Sequence, residues 1–132
     1  MTTVLVDTNV VSYLFRGHSL GGPYLAHIKG RTAAVSFMTV GELYEGAYRA
    51  NWSPARIAQL EAELRNYVVV PSSHPICVHW GQIRAERRTQ PISPDDGWIA
   101  ATARANGWPL LTHNPRDFAG ISDLVVVSEQ QP

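Results

Sequence analysis

Short apolar runs alternate with helix-like stretches along the chain, and this alternation restricts the possible fold more than any other feature. The runs that we interpret as strands are rich in Val or Leu and cover residues 4–6, 33–37, 67–70, 109–112 and 124–127. Few of them alternate cleanly between polar and apolar residues, so we expect strands that are buried on both faces. Strands separated by helices form parallel sheets that are covered on both sides. The sequence therefore predicts a three-layer α/β/α fold with a central, mostly parallel sheet of about five strands.

Capping residues mark where several of the helices should begin and end. Ser53 followed by Pro54 is typical of a helix start, and Ser93 followed by Pro94 gives the same signal before a stretch that Gly107 ends. Helical patterns also cover residues 39–51 and 77–88, and the Gly-rich stretch 17–23 is expected to be a loop. That stretch matches neither the Walker A motif nor the dinucleotide-binding motif.

Length and composition describe an ordinary globular protein. The 132 residues fit a single domain over residues 1–132, and the 11 basic and 11 acidic residues cancel. A neutral chain has no overall attraction for nucleic acid, although a local basic patch would be enough. Cys77 is the only cysteine, which fits a reducing compartment, and its apolar neighbours predict a position in the core. With no signal peptide and no membrane span expected, we predict a cytoplasmic protein.

A carboxylate stands at the edge of the predicted core, where a lone charge is costly to desolvate. Asp7 directly follows the strand at residues 4–6. Other polar residues follow predicted strands or begin a helix that leads into one, namely Asn9, Glu42, Asp95, Asp96, Asn114 and Asp117. Ligands of open α/β sheets bind beyond the carboxyl ends of the strands. We therefore expect these side chains to converge on one rim of the sheet.

Each of these acids also has a purely structural interpretation. Thr39 and Glu42 have the spacing of a capping box, and Ser93 and Asp96 have a shorter version of it. Asp7 could simply cap the helix that follows it. Three or four crowded carboxylates, however, repel one another and raise each other's pKa, so they need a cation. Oxygen ligands without paired His or Cys favour Mg²⁺ or Mn²⁺, which serve hydrolysis by activating water.

Two other enzyme classes are disfavoured by the sequence. The five His residues include no pair at i,i+4, which argues against a His or Cys metalloenzyme. No nucleophile elbow is present, which argues against a Ser or Cys hydrolase.

Four segments, in their order along the chain, carry a resemblance to a known family. They read LVDTN at 5–9, SFMTVGELYEGA at 36–47, DDGWIAATARANGWPLLTHNPRDF at 95–118 and VVV at 125–127. The chain resembles the PIN-domain family and, more narrowly, its VapC-type ribonuclease toxins of type II toxin–antitoxin systems. The resemblance implies a hydrolase, an endoribonuclease that depends on Mg²⁺ or Mn²⁺ and cleaves RNA phosphodiesters with a metal-activated water.

The resemblance also assigns site residues. The acids expected to act in catalysis and to hold the metal are Asp7, Glu42, Asp96 and Asp117. The polar residues expected to support them are Thr8, Asn9, Thr112 and Asn114. Asp96 rather than Asp95 fills the third position, because two variable residues separate it from Ile99. The fourth position is open between Asn114 and Asp117, with Asp117 favoured, and the neighbouring His113 is expected to take no part.

The resemblance further implies partners. A small VapB-like antitoxin would wrap the chain, operator DNA would be bound only through that antitoxin, and a homodimer is expected.

Two sets of side chains could contact partners. Tyr44, Tyr48 and Trp52 form a stripe at i, i+4 and i+8, and we favour a position in the core over a position in an interface for this stripe. Arg84, Arg87 and Arg88 share part of a helix face, which is expected to be solvated unless it contacts RNA phosphates.

Two alternatives remain open at this stage. The chain could be a PIN-domain nuclease of RNA processing, with the same metal site and another role. It could also be a weakly active or inactive binding module that works mainly within an antitoxin–operator DNA complex.

Overall fold

A five-stranded sheet forms the centre of the computed structural model, which describes residues 2–130. The strands are β1 Thr3–Val6, β2 Thr32–Ser36, β3 Val68–Val70, β4 Leu110–Leu111 and β5 Val126–Val127. Their order is β3-β2-β1-β4-β5, and every neighbouring pair is parallel. The predicted parallel sheet is confirmed.

Six α-helices connect and cover these strands within residues 2–130. They are α1 Thr8–Arg16, α2 Leu25–Ile28, α3 Phe37–Arg49, α4 Pro54–Leu64, α5 His74–Glu86 and α6 Pro94–Asn106. Short 3₁₀ turns cover Gly22–Tyr24 and Pro115–Phe118. None of these helices is long and apolar enough to cross a lipid bilayer.

A serine is the N-cap of four helices, α3 to α6, and the sequence predicted this cap for α4 and α6. Ser53 and Ser93 cap α4 and α6, and Gly107 ends α6 in a left-handed conformation. Helices α3 and α5 begin two and three residues before the stretches predicted for them, because serines outside those stretches act as caps. The Ser36 and Ser73 hydroxyls accept the N–H groups of the second and third residues after them.

The side chains of β1 alternate between two apolar layers, one on each face of the sheet. Leu5 packs with Ile99 of α6 and the apolar side of α5, whereas Val4 and Val6 pack with Val10 of α1. The three-layer α/β/α arrangement is confirmed by this division of the core.

Two expectations from local composition are wrong. The edge strands β3 and β5 are not buried on both faces, since Val68 and Val69 are 53% and 45% exposed and both residues of β5 are only partly buried. Cys77 is exposed rather than part of the core, because α5 turns Ile76 and Ile83 inward instead. The stretch 17–23, expected to be a loop, is irregular except at its end, where it contributes the first two residues of the 3₁₀ turn Gly22–Tyr24. Tyr24 in this turn is fully buried.

The central position of Leu5 leads to a prediction about stability. Leu5 is fully buried, so Leu5→Ala is expected to lower the free energy of unfolding by about 2–5 kcal/mol. Urea denaturation followed by circular dichroism measures this change. The matched control is Leu25→Ala, since Leu25 is 56% exposed and should cost less than about 0.5 kcal/mol. Equal losses for the two variants would contradict the assigned core.

Candidate active site

The carboxyl ends of the central strands meet at one rim, and the four predicted acids line a cleft of about 560 Å³ there. Asp7 directly follows β1, and Glu42 lies in the second turn of α3, which follows β2. Asp96 lies in the first turn of α6, and Asp117 lies in the 3₁₀ turn after β4. Four acids that are far apart in sequence are therefore brought to one cleft by four different elements.

Asp7 is the most buried of these acids, with 4% of its surface exposed. Its Oδ1 accepts the Thr8 N–H at 2.8 Å, and its Oδ2 accepts the Thr112 hydroxyl at 2.7 Å. Burial raises the pKa of Asp7, the hydrogen bonds from Thr112 and Thr8 lower it in part, and the charge of Asp117 raises it. Asp7 also caps α1, so its structural and candidate catalytic roles coincide in one side chain.

Glu42 is held by the first residue of α1. The Thr8 hydroxyl donates to Glu42 Oε1 at 2.6 Å and lies 3.0 Å from the Thr39 hydroxyl. Burial raises the pKa of Glu42, the Thr8 hydrogen bond lowers it, and nearby carboxylates raise it further. The capping-box interpretation of Thr39 and Glu42 is wrong, because Ser36 caps α3 and both residues lie inside the helix.

Asp96 and Asp95 are neighbours with different surroundings. Asp96 is partly buried and lines the cleft, whereas Asp95 is exposed and is not part of the lining. Burial raises the pKa of Asp96 to about 6, and the charges of Asp7 and Asp117 contribute to this increase. The α6 start is fixed by Ser93, whose hydroxyl accepts the Asp96 N–H at 3.1 Å.

The loop after β4 is tied to the residues that follow β1. Besides its bond to Asp7, the Thr112 hydroxyl accepts the Asn114 N–H at 3.0 Å. The Asn9 side-chain oxygen accepts the His113 N–H at 3.2 Å. Asn114 and Asp117 are both exposed and both line the cleft, so the fourth acidic position stays open between them.

His113 takes part in a network that the sequence did not reveal. Its Nδ1 lies 2.6 Å from the hydroxyl of the buried Tyr24, and that hydroxyl accepts the Glu129 N–H at 3.0 Å. His27 Nε2 lies 2.7 Å from the Glu129 carboxylate. His113 therefore links the loop beside the acids to distant segments of the chain.

Arg87 supports the same loop from outside the cleft, which the sequence also did not reveal. Its guanidinium donates to the main-chain carbonyls of Gln90, Asp117 and Ala119 at 2.7, 3.3 and 3.0 Å. Arg84 instead lies over the Trp80 ring, 5.2 Å from its centroid. The expectation that Arg84 and Arg87 share a solvated helix face is thus wrong.

The donor atoms around the cleft are of the chemical type that a hard divalent cation prefers. Four carboxylates and the Asn9 and Asn114 side chains line it, and Arg16 is the one cationic residue among the lining residues described. Carboxylates that raise each other's pKa are stabilised by a cation between them. Within residues 2–130, however, no three or more His, Cys, Asp or Glu side chains are grouped so that they could hold a metal ion between them.

Comparison with known proteins identifies the family. The sequence pattern of the PIN domain matches residues 4–124. The chain belongs to the PIN-domain family. The resemblance inferred from the motifs is confirmed.

Relatives match the chain over nearly its whole length. Ribonuclease VapC2 of Haemophilus influenzae is 32% identical over 126 residues, which are 94% of this chain and 96% of that protein. The tRNA(fMet)-specific endonuclease VapC of Shigella flexneri is 27% identical with the same two coverages. Both of these relatives are thus named as nucleases.

Solved structures have the same architecture. The structure of DNA-bound VapBC from Salmonella typhimurium matches with a TM-score of 0.84 at 26% identity, covering 97% of this chain and 98% of that one. VapBC-1 from nontypeable Haemophilus influenzae matches with a TM-score of 0.82 at 27% identity, covering 96% and 98%. The α/β/α fold is therefore shared with a chain of each of these two VapBC structures.

The raised pKa of Asp96 predicts how stability depends on pH without metal. Because the folded-state pKa is about 6 and the ordinary value is 3.8, ionised Asp96 destabilises the fold as pH rises between these values. Asp96→Asn is expected to raise the free energy of unfolding at pH 7 by about 1 kcal/mol, allowing for solvent screening. The gain should shrink towards pH 4, as measured by urea denaturation in EDTA.

The control for this measurement is Asp95→Asn. The exposed Asp95 carboxylate interacts favourably with the α6 N-terminus, so its removal should lower stability at pH 7 by about 0.3–1 kcal/mol. Destabilisation by Asp96→Asn at pH 7 would show that Asp96 is not strained by burial and neighbouring charges.

Proposed function

We propose that this chain is a divalent-metal-dependent endoribonuclease that acts as the toxin of a toxin–antitoxin pair. The observation that carries the proposal is the convergence of four acids from four elements on one cleft, with Asp7 and Glu42 held by threonine hydroxyls. The PIN-domain match and nearly full-length relatives named ribonucleases support the reaction type.

The proposed metal is Mg²⁺ or Mn²⁺, because the available donors are carboxylate and amide oxygens. Asp7 and Asp96 would hold the ion directly, and Glu42 and Asp117 would hold it through water or help to hold a second one. When bound, such an ion activates water and stabilises negative charge on a phosphoryl oxygen.

The chain itself orients the acids and limits access of water to them. Thr112 and the Thr8 N–H each hold one oxygen of Asp7, which fixes the plane of that carboxylate. The Thr8 hydroxyl occupies one oxygen of Glu42 and leaves the other available. Burial shields Asp7 from water almost fully and Glu42 in part, which strengthens the attraction of these carboxylates for a cation.

A VapB-like antitoxin is the proposed protein partner, and operator DNA is proposed to be bound through it. Solved relatives that are complexes of VapB with VapC, one of them bound to DNA, support this assembly. We also propose a homodimer and a cytoplasmic location, where both an RNA substrate and a DNA-bound complex would be met.

Asp7→Asn tests the reaction. Asn is as good a helix cap as Asp, so α1 should form, but one carboxylate charge is lost from the cleft. Cleavage of total RNA in Mn²⁺ is expected to fall on the order of 100-fold or more, measured by sequencing of new RNA ends. Asp95→Asn is the control and should cut like the parent chain. Cleavage at the same ends by Asp7→Asn, or cleavage that persists in EDTA, would contradict the proposal.

Thr8→Val tests the positioning of Glu42. Valine keeps the shape of the side chain and removes the donor to Glu42, so kcat and the affinity for Mn²⁺ should each fall about 10–100-fold. Thr8→Ser restores the hydroxyl and should recover most of both. Calorimetric Mn²⁺ titration and single-turnover cleavage provide the readouts. Equal behaviour of the two variants would show that the hydroxyl is unimportant.

A further inference from the structure

The cleft does not end at the acids but continues as a groove between α1 and α3. Thr8, Ser12 and Arg16 line one wall, four residues apart and therefore on one side of α1. The facing wall is formed by Glu42, Leu43, Gly46, Ala47 and Ala50 of α3 and its end, and by Trp52. The rise from Thr8 to Arg16 along α1 is about 12 Å.

The two ends of this groove carry opposite charge. Arg16, at the end away from the acids, is exposed and forms no ion pair with any residue in the part of the chain described. Arg56 does not line the cleft, but it lies over the rings of Phe15 and the lining residue Trp52, 4.6 and 5.0 Å from their centroids. The hydrogen bond of its guanidinium goes to Gln59 and not to a carboxylate. This end of the groove is therefore cationic and aromatic.

The turn after α3 places Trp52 in the groove wall. Asn51 adopts a left-handed conformation with φ 54°, and the Trp52 N–H donates to the Ala47 carbonyl at 3.0 Å. This turn breaks the helical stripe expected for Tyr44, Tyr48 and Trp52, of which Tyr48 is 64% exposed. Trp52 instead packs beside Phe15, with ring centroids 5.8 Å apart.

Small residues keep the middle of the groove open. Gly46 lies inside α3, where glycine weakens a helix relative to alanine. A Cβ atom added at Gly46 would meet no atom within 4 Å. The absent side chain is thus not required by packing, and its absence leaves space in the groove.

We propose that this groove binds the single-stranded RNA next to the scissile phosphate, with Arg16 contacting a backbone phosphate. The inference rests on the proposed ribonuclease function and deepens it. A strand whose phosphate lies at the acids would reach Arg16 about three or four phosphates away, at the 3.4 Å spacing of a stacked strand. Its bases would lie on the floor at Gly46 and against Trp52. A polyanion would match both ends of the groove, since a cation held by the acids and the Arg16 guanidinium would each bind phosphate.

Binding measurements test the groove separately from cleavage. The parent for binding carries Asp96→Asn, and the probe is a fluorescein-labelled, random-sequence single-stranded 12-mer RNA followed by anisotropy in Mn²⁺. Arg16→Gln should weaken binding about tenfold and reduce the slope of log K against log salt by about 0.7. Arg88→Gln removes an exposed arginine outside the cleft and should change binding less than about twofold.

A second pair of variants tests whether RNA occupies the space that Gly46 leaves open in the groove. Gly46→Leu should weaken binding at least about tenfold without loss of thermal stability, since leucine favours the helix. Gly81→Leu on α5 is the control, because a Cβ there also meets no atom within 4 Å, and it should bind like the parent.

The outcomes separate the groove from the proposed function. One outcome overturns only the groove assignment. In that outcome the chain with intact Asp96 cuts total RNA, but Arg16→Gln binds RNA as tightly as Arg88→Gln does, and Gly46→Leu binds it as tightly as Gly81→Leu does. It is likewise overturned if Gly46→Leu blocks capture of the co-expressed antitoxin and leaves RNA binding unchanged. A chain that neither cuts nor binds RNA overturns both.

Discussion

The hydrogen bond from the Thr112 hydroxyl to the Asp7 carboxylate is the interaction on which the site depends. It joins the ends of β1 and β4, the neighbouring central strands, at the rim where the cleft opens. With the Thr8 N–H it offsets part of the cost of burying Asp7. The same hydroxyl accepts the Asn114 N–H, so the orientation of the acid and the course of the next loop are set together.

Much of the fold could be predicted because its signals are local. Apolar runs, the Ser–Pro starts of α4 and α6 and the Gly107 stop each act within a few residues. The errors concern properties that depend on distant packing. The run around Val68 has the composition of a buried strand, but the strand lies at the edge of the sheet. The exposure of Cys77 depends on which face of α5 packs against the sheet.

The candidate acids could be named from motifs because family patterns record residues that act together. The structure brings the four acids to one cleft, and their roles remain proposals. The contacts that support the loop could not be named. Arg87 reaches carbonyls about 30 residues away, and Tyr24 reaches His113 across 89 residues, with no local pattern for either. Composition could not predict the separation of charge within the groove either, since a chain with no net charge can place acids at one end of a groove and an arginine at the other.

The one-sided course of the groove between α1 and α3 has a consequence for turnover. If an RNA strand lies in this groove with its cleaved phosphodiester at the acids, the protein would hold the two RNA fragments unequally. The fragment on the Arg16 side would keep its phosphate contact after hydrolysis, whereas no second cationic side chain lines the described cleft to hold the other fragment. Departure of the retained fragment would then limit the rate at which the cleft is cleared, and higher ionic strength would speed that departure.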